Sequence, residues 1–327
     1  MKIAFYGTKP YDRTWFAPLA ESYQMELTFF ETQCTSNTLD LARGYDAICI
    51  FINDTIDKAM INRLCEMNIK GILLRSAGFN HVDVKAAKGR IHVLRVPSYS
   101  PGAVAEYAAA MLLTVNRFTH RAYTRTRDFN MSINGLMGMD LNKKTAGIVG
   151  TGKIGQAMIR ILKGFDMDIL AYDPYPDESL DIQYVDLDTL FEKSHIISLH
   201  CPLTKETYHI INKEAIERMR ENVYIVNTSR GALIDSNALL DGLLEKKIAG
   251  VGLDVYEEED GLFYEDLSNT IIQDNTLARL TTFPNVLITS HMGFFTQEAM
   301  QAIAIETLEN AYALEHGKPL INEINVK

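Results

Sequence analysis

Short runs of apolar, β-branched and aromatic residues recur along the chain, and stretches with helical spacing separate them. The runs KIAFY, ELTFF, AICIF and GILLR fall within the first 75 residues, and DKAMINRLCEM, between the last two, has helical periodicity. Such short apolar runs predict buried strands, because both faces of a covered strand must be apolar. Alternation of strands with helices predicts βαβ units, and therefore a parallel sheet with helices on its faces.

The same alternation continues in the second part of the chain. After one long helical stretch, GAVAEYAAAMLLTVNRFTHRAYTR at 102–125, the strand-like runs TAGIVG, DILAYD, HIISLH, VYIVNT, AGVGLDV and NVLITS follow in order. No low-complexity segment or fixed-period repeat interrupts them. The sequence therefore predicts an α/β protein with two parallel sheets of the Rossmann or flavodoxin type.

Two breaks in the pattern predict a discontinuous domain. VPSYSPG at 96–102 places two prolines and a glycine between a strand and a helix. A second break falls near 296, where SHMGFFTQEAM passes into a helix close to the chain end. The segment after it is too short for a domain of its own. We therefore expect a substrate domain of residues 1–100 and 297–327, and a dinucleotide-binding domain of residues 101–296.

Composition narrows the possible partners and the compartment. A net charge of −10 and a pI of about 5.3 disfavour nucleic acid as a partner. The 4 cysteines show no CxxC pairing, so we expect neither a disulfide framework nor a metal site, and the cytoplasm is the expected compartment. The N-terminus enters a strand pattern directly, without a signal peptide, and no apolar stretch is long enough to span a membrane.

One glycine-rich turn has the context of a dinucleotide site. TAGIVGTGKIGQAMIRILKGF is a strand, the motif Gly150-x-Gly152-x-x-Gly155, and an amphipathic helix. The glycines allow a tight turn, close approach of a pyrophosphate and packing of helix on strand, and the helix N-terminus attracts the phosphates. Asp173 ends the next strand, where its carboxylate would accept from the ribose hydroxyls and repel a 2′-phosphate. The predicted cofactor is NAD rather than NADP.

The carboxyl ends of four more strands carry polar residues, and ligands bind at that edge of an open α/β sheet. These ends are LHCP with His200, NTSRG with Arg230, GLDVYEEED with its acids in 254–260, and TSHMGF with His291. An arginine would bind a carboxylate and polarise a carbonyl, while a protonated histidine beside a carboxylate would donate a proton. That set suits reduction of a 2-oxo acid beside a nicotinamide.

The residues alone leave three points open. Arg230 is either a solvated loop charge or a ligand for an anion, since arginine is seldom buried without a partner. Both His200 and His291 lie at strand ends, and spacing does not choose between them. The acidic run in 254–260 is equally typical of a solvated turn.

The motifs GTGKIG, ISLHCPLT, VNTSRGALID, LDVYE and a late SH, in that order, resemble the D-isomer-specific 2-hydroxyacid dehydrogenase family over the whole chain. Longer segments, among them LRSAGFNHVD, RVPSYSP and SRGALIDSNAL, resemble the bacterial members of that family that form D-lactate in fermentation. One departure is Tyr107, where relatives often have histidine after the glutamate. It lies in the long helix, outside the predicted active site.

The resemblance assigns roles to individual residues. The catalytic arginine corresponds to Arg230, the proton donor to His291, and its partner carboxylate to Glu259 rather than Glu257 or Glu258. His200 is then a residue on the cofactor side. The residues that the resemblance assigns to cofactor binding are Gly150, Gly152, Lys153, Ile154, Gly155, Asp173, Cys201, Pro202, Thr207, Thr228, Ser229, Arg230 and Asp254. Those that it assigns to the substrate are Ala77, Gly78, Tyr99, Arg230, His291 and Phe294.

The expected activity is reversible reduction of pyruvate to D-lactate with NADH. The alternatives are reduction of another 2-oxo acid, such as 2-oxoisocaproate, glyoxylate or hydroxypyruvate, or an NADH-sensing corepressor-like binding protein. An acidic chain without tails disfavours the corepressor. The helical arm at 101–145, with apolar Leu136, Met137 and Met139, together with the family resemblance predicts a homodimer or homotetramer.

Overall fold

In a computed structural model the chain forms twelve strands within the described residues, 1–259 and 261–324. Asp260, the last acid of the predicted carboxylate loop, and residues 325–327 of the predicted substrate domain lie outside these ranges. The strands are β1 Lys2–Phe5, β2 Glu26–Phe29, β3 Ala47–Ile50, β4 Gly71–Leu74, β5 His92–Leu94, β6 Thr145–Val149, β7 Asp168–Tyr172, β8 Gln183–Tyr184, β9 Ile196–Leu199, β10 Val223–Asn227, β11 Ile248–Leu253 and β12 Val286–Ile288.

Eleven α-helices alternate with the strands in these described ranges. They are α1 Pro10–Ser22, α2 Lys58–Glu66, α3 Val84–Ala87, α4 Pro101–Arg117, α5 Thr119–Arg127, α6 Lys153–Lys163, α7 Leu187–Lys193, α8 Lys213–Arg218, α9 Ser236–Leu244, α10 Asn275–Leu280 and α11 Gln297–Glu315.

The chain divides into two compact units. The first comprises Met1–Ser100 together with the chain from Phe295 onward, and the second is Pro101–Phe294. The first unit has a five-stranded sheet of order β2-β1-β3-β4-β5. The second has a seven-stranded sheet of order β12-β11-β10-β9-β6-β7-β8. All strand pairs in both sheets are parallel, which confirms the predicted α/β class.

The second unit is a doubly wound sheet whose central strands are apolar because helices cover both faces. Every residue of β9 and β10 is buried, as the continuous runs IISL and VYIVN predict. The strand order reverses at β6, which pairs with β7 on one side and β9 on the other. Ligands bind outside the carboxyl ends of the strands at such a reversal. The glycine turn follows β6 directly, so the fold places it there.

Two local features differ from the expectation. The predicted single helix at 102–125 is two helices, α4 and α5, because Phe118 between them has a left-handed backbone with φ of 52°. A left-handed residue cannot continue a right-handed helix. The two-residue edge strand β8 has no apolar run to predict it. No helix in the described part of the chain is long and apolar enough to cross a membrane.

Candidate active site

The glycine turn after β6 needs glycine at two of its three positions for steric reasons. Gly150 has φ of +95°, and a Cβ there would lie 2.6 Å from the Cys201 backbone nitrogen. A Cβ on Gly155 would lie 2.1 Å from the carbonyl oxygen of Gly150, in the turn below the helix. These two glycines therefore let the turn close against the β9 loop and against α6.

Gly152 serves a different purpose, since a Cβ there would meet no atom within 4 Å. It is the N-cap of α6, and no side chain caps the helix. The first amides of a helix have no intrahelical acceptor, so those of Lys153 and Ile154 can donate to an anion. Open space in front of uncapped amides fits a pyrophosphate group.

The carboxylate of Asp173, just beyond the end of β7, lies against the same turn. Its Oδ2 accepts from the Thr151 amide at 2.7 Å and from the Thr151 hydroxyl at 3.1 Å. Its Oδ1 accepts from the Tyr175 amide at 2.9 Å. The charge is thus held beside the N-terminus of α6, where it would meet the ribose next to a bound pyrophosphate.

The loop after β9 contributes the next three predicted cofactor residues. The Cys201 side chain is buried, and burial raises the pKa of its thiol to about 11, so the thiol stays protonated. The Thr207 hydroxyl donates to the carbonyl of the exposed Pro202 at 2.6 Å and accepts from the Thr204 amide at 2.7 Å. Thr207 therefore fixes the shape of this loop.

The two strand-end histidines have different surroundings in the structure. Burial lowers the pKa of His200 to about 4, so its imidazole is neutral near pH 7. The ring Nε2 of His200 lies 2.9 Å from the Ser198 hydroxyl. A neutral, largely buried imidazole suits a packing role beside the cofactor turn and does not suit a proton donor.

The loop after β10 carries Arg230 in a fixed backbone. Asn227 accepts from the Ser229 amide at 3.0 Å and donates to the Arg230 carbonyl at 2.8 Å, while the Ser229 hydroxyl donates to the Cys201 carbonyl at 2.7 Å. Gly231 is required next, because a Cβ there would overlap the Tyr256 carbonyl carbon at 2.0 Å. The half-buried Arg230 side chain forms no ion pair with a carboxylate of the described ranges.

Thr228, in the same loop, has a buried hydroxyl without a hydrogen-bond partner within residues 1–259 and 261–324. Buried polar groups in folded proteins are almost always paired. An unpaired hydroxyl at the same carboxyl edge of the sheet as the glycine turn therefore fits a site where a polar ligand group completes the hydrogen bonding. Together with the uncapped amides of α6, it fits NAD.

The buried carboxylate of Asp254, at the end of β11, organises the turn that carries His291. Asp254 accepts from the Thr289 hydroxyl at 2.6 Å and from the Met292 and Gly293 amides at 2.9 and 2.7 Å. Its carbonyl accepts from the His291 amide at 2.7 Å. His291 itself has φ of 52°, an unusual conformation for a non-glycine residue, which these bonds hold in place.

Within this turn the imidazole of His291 meets the carboxylate of Glu259. His291 Nδ1 and Glu259 Oε1 lie 2.9 Å apart, and both side chains are mostly buried, with exposures of 15% and 20%. The other oxygen of Glu259 accepts from the Tyr256 amide at 3.0 Å. The Tyr264 hydroxyl donates to the His291 carbonyl at 2.8 Å. An Nδ1–H group in this position donates a hydrogen bond to the carboxylate, so Nε2 is the ring nitrogen that can exchange a proton with a ligand.

The neighbouring acids have different surroundings. Glu257 pairs with His209, with 2.5 Å between its Oε1 and the histidine Nε2, and also accepts from the Ser236 hydroxyl at 3.1 Å. Glu258 is exposed to solvent. The run of acids is therefore not one solvated turn, because each glutamate has its own environment.

Two of the predicted substrate residues, Ala77 and Gly78, lie in the loop after β4 of the first unit. The Ser76 hydroxyl donates to the Gly78 carbonyl at 2.8 Å, and the Arg95 guanidinium donates to the Ala77 carbonyl at 3.0 Å. With both carbonyls bonded, the shape of the loop is fixed. Tyr99 is half-buried in the first unit, and Phe294 is buried in the second.

Sequence reasoning missed the residues that support these loops. Arg75, directly before the loop, is buried and forms an ion pair with Asp12 at 2.8 Å. Thr151 and Tyr184 support Asp173 through hydrogen bonds. The Thr151 hydroxyl donates to Asp173, and its oxygen lies 2.9 Å from the Tyr184 hydroxyl oxygen. Thr151 lies inside the glycine motif, which is a detectable signal. The other partners come from distant parts of the sequence, so only the fold reveals them.

A Rossmann-type sheet with this turn, and a histidine–carboxylate pair at its carboxyl edge, defines an NAD-dependent oxidoreductase. The sequence model of the family "D-isomer specific 2-hydroxyacid dehydrogenase, NAD binding domain" matches residues 109–293. The chain belongs to the D-isomer-specific 2-hydroxyacid dehydrogenase family.

Relatives match along almost the whole chain. The D-lactate dehydrogenase of Escherichia coli is 51% identical over 99% of this chain and 100% of its own length. The apo-structure of the E. coli D-lactate dehydrogenase superimposes with a TM-score of 0.90 and covers 99% of this chain and 100% of that one. The NAD⁺-bound D-lactate dehydrogenase of Lactobacillus jensenii gives a TM-score of 0.84 at 28% identity, covering all of both chains. These findings confirm the predicted family and cofactor.

Proposed function

We propose that the chain catalyses the reversible reduction of pyruvate to D-lactate with NADH. The observation that carries the proposal is the pairing of His291 with Glu259 at 2.9 Å, at the same sheet edge as Arg230 and the glycine turn. A carboxylate stabilises a protonated imidazole, and a protonated imidazole is the group that reduction of a carbonyl needs. The similarity to D-lactate dehydrogenases supports the choice of pyruvate.

Each residue then has one task in the proposed reaction. NADH, when bound, supplies the hydride that goes to the carbonyl carbon. Arg230 binds the substrate carboxylate and polarises the carbonyl, since its planar fork carries several donors. His291 transfers its proton to the carbonyl oxygen as the alcohol forms, and Glu259 stabilises the imidazolium before that transfer. The Ala77 and Gly78 amides donate to the substrate carboxylate, and Tyr99 and Phe294 contact the substrate.

The cofactor contacts are also part of the proposal. The Lys153 and Ile154 amides bind the pyrophosphate, as the open space at Gly152 allows. Asp173 accepts from the ribose. The remaining predicted contacts, to the nicotinamide and its ribose, fall on the loops after β9, β10 and β11, namely on Cys201, Pro202, Thr207, Thr228, Ser229, Arg230 and Asp254. On this proposal, residues 101–296 are the NAD-binding domain and the rest of the chain is the substrate domain.

The alternative substrates are other short 2-oxo acids. One observation favours 2-oxoisocaproate among them. The structure of a D-2-hydroxyisocaproate dehydrogenase matches with a TM-score of 0.86 at 31% identity. The test compares the steady-state kinetics of five acids, measured through the loss of NADH absorbance. The acids are pyruvate, 2-oxobutyrate, 2-oxoisocaproate, glyoxylate and hydroxypyruvate. We expect the highest kcat/KM with pyruvate, and a higher value with any other acid would reassign the substrate.

The same assay separates an enzyme from an NADH-sensing binding protein. A corepressor-like protein would bind NADH without consuming it when any of these acids is added. We further propose that the protein is cytoplasmic and forms a homodimer or homotetramer. The four free cysteines of the described ranges support a reducing compartment.

A further inference from the structure

A chain of hydrogen bonds leads from the edge strand β8 to the Asp173 carboxylate. The Tyr184 hydroxyl accepts from the Asp177 amide at 3.1 Å and lies 2.9 Å from the Thr151 hydroxyl. The Thr151 hydroxyl in turn lies 3.1 Å from Asp173 Oδ2. Thr151 is buried and Tyr184 is half-buried, so solvent does not replace these bonds readily.

Each hydroxyl in this chain has a single proton, which fixes the direction of the bonds. An ionised carboxylate only accepts, so the Thr151 hydroxyl must donate to Asp173. The oxygen of Thr151 then accepts from Tyr184, and the oxygen of Tyr184 accepts from the Asp177 amide. The chain therefore runs one way, from the amide through two hydroxyls to Asp173 Oδ2.

These hydrogen bonds determine which acceptor position of the Asp173 carboxylate remains available. A carboxylate accepts about four hydrogen bonds. The Thr151 amide and hydroxyl occupy Oδ2, and the Tyr175 amide occupies one position on Oδ1. One acceptor position, on Oδ1, remains among the bonds of the described residues. The orientation of Asp173 is therefore fixed before a ribose arrives.

We propose that Thr151 and Tyr184 are positioning residues that hold the Asp173 carboxylate in the orientation that accepts the NAD ribose and repels a 2′-phosphate. The inference rests on the proposed role of Asp173. A carboxylate that cannot rotate away maintains its repulsion of the phosphate group of NADP. Preference for NAD then depends on the two hydroxyls as well as on the acid.

The test is direct binding of NADH and NADPH by isothermal titration calorimetry, which needs no turnover. Tyr184→Phe removes one hydroxyl and keeps the ring, and Thr151→Val removes the other while keeping the amide. We expect each change to raise the Kd for NADH roughly 3- to 10-fold, the usual effect of one lost hydrogen bond. The Kd for NADPH should change less, because a loosened carboxylate turns away from the phosphate. The ratio of the Kd for NADPH to the Kd for NADH therefore falls.

Two further variants control for a purely structural effect. Thr151→Ser restores a hydroxyl at the same position and should return the ratio towards the wild-type value. Tyr172→Phe removes a tyrosine hydroxyl one residue before Asp173 and should leave the ratio unchanged. A role limited to folding would weaken both cofactors equally, or lower Tm, at a constant ratio of Kd values. That result would overturn the inference.

Asp173→Ala, measured in the same way, separates this inference from the site on which it rests. If Asp173→Ala lowers the ratio and the two hydroxyl variants do not, the positioning role is wrong and the ribose site stands. If Asp173→Ala leaves the ratio unchanged, both the site and the positioning role are wrong. A lowered ratio in all three variants supports both.

Discussion

Arg230 shows how much of a side chain's chemistry depends on the backbone around it. The Asn227 side chain bonds to the Ser229 amide and to the Arg230 carbonyl. Gly231 packs directly on the Tyr256 carbonyl. The backbone of Arg230 is therefore held in one position after β10. A positively charged fork at the carboxyl edge of the sheet, unpaired with any described carboxylate, is suited to an anionic substrate.

Replacement of Arg230 by lysine tests that fork. Lysine keeps the charge but loses the planar, two-donor contact. We expect Arg230→Lys to raise KM for pyruvate, lower kcat, and reduce kcat/KM roughly 10²-fold or more, as the loss of a transition-state contact does. Arg218→Lys on α8, where the arginine pairs with Asp188, is the matched surface control. Near-normal kinetics of Arg230→Lys would show that Arg230 is a solvated loop charge and does not bind the substrate.

His200 gives a prediction about stability at low pH. Its folded pKa of about 4 lies below the value of about 6.5 for an unfolded histidine. Between those values the unfolded chain binds a proton that the folded chain does not, so this residue makes stability fall as pH falls. His200→Gln should therefore lose less unfolding free energy than the wild type between pH 7 and pH 5, by roughly 1–2 kcal/mol.

Urea unfolding of the wild type and His200→Gln at the two pH values measures that difference. A comparison of variants is needed because burial raises the pKa values of Asp54 and Asp254, which contribute with the opposite sign. His316→Gln, on the exposed surface after α11, is the control and should behave as the wild type. Equal losses for the wild type and His200→Gln would contradict the neutral, buried state of His200.

At the scale of elements, the loop after β11 determines which glutamate contacts His291. In the described chain the segment from Asp254 to Glu259 turns so that Glu257 meets His209, Glu258 meets solvent, and Glu259 meets His291. Three adjacent acids thus have three environments. Of the three, only Glu259 contacts the imidazole of His291, at 2.9 Å from Nδ1.

Glu259→Gln keeps the shape of the side chain and removes its charge. We expect kcat/KM for pyruvate reduction to fall roughly 10²-fold, because a positioned acid–base pair contributes at least that much to the rate of a proton transfer.

Glu258→Gln is the appropriate control, because that side chain is exposed. Glu257→Gln is not equally clean, since Glu257 bonds to both His209 and Ser236 and its loss would disturb α9. A lower kcat/KM for Glu258→Gln, with an unchanged value for Glu259→Gln, would show that the reaction does not use the contact between Glu259 and His291.

The elements differ in how far the sequence predicts them, and the difference is physical. Covered parallel strands such as β9 and β10 are buried throughout and mostly apolar, so their runs are visible without a structure. The strand β8 has two residues on a sheet edge and carries no such pattern. The left-handed Phe118 that separates α4 from α5 has no glycine or proline to signal it.

The candidate site divides in the same way. Residues at strand ends, among them Arg230 and His291, were predictable because parallel strands bring their carboxyl ends to one edge. The sequence leaves the choice between His200 and His291 open, and the burial of His200 together with the Glu259 contact of His291 favours His291. The bond from Tyr184 to Thr151 depends on β8 pairing with β7, which no local pattern indicates.

At the scale of the whole molecule, an apolar surface follows α4. Five large apolar side chains between 123 and 137 are exposed, with exposures of 63% to 90%. They are Tyr123, Phe129, Met131, Ile133 and Met137. Several large exposed apolar side chains within one short segment are typical of a contact surface between proteins. We propose that a second copy of the chain covers them.

Charges introduced on this surface test the assembly. Burying an unpaired carboxylate is strongly unfavourable, so the double variant Phe129→Asp/Ile133→Asp should dissociate an oligomer that uses the surface. We expect light scattering coupled to size exclusion to give the wild type at least twice the chain mass of 36.8 kDa, and the variant that mass alone. Ile271→Asp changes an apolar side chain that is 82% exposed elsewhere and should leave the mass unchanged. A wild type that remains monomeric at micromolar concentration would show that no second copy covers this surface, whereas dissociation by Ile271→Asp as well would place the contact elsewhere.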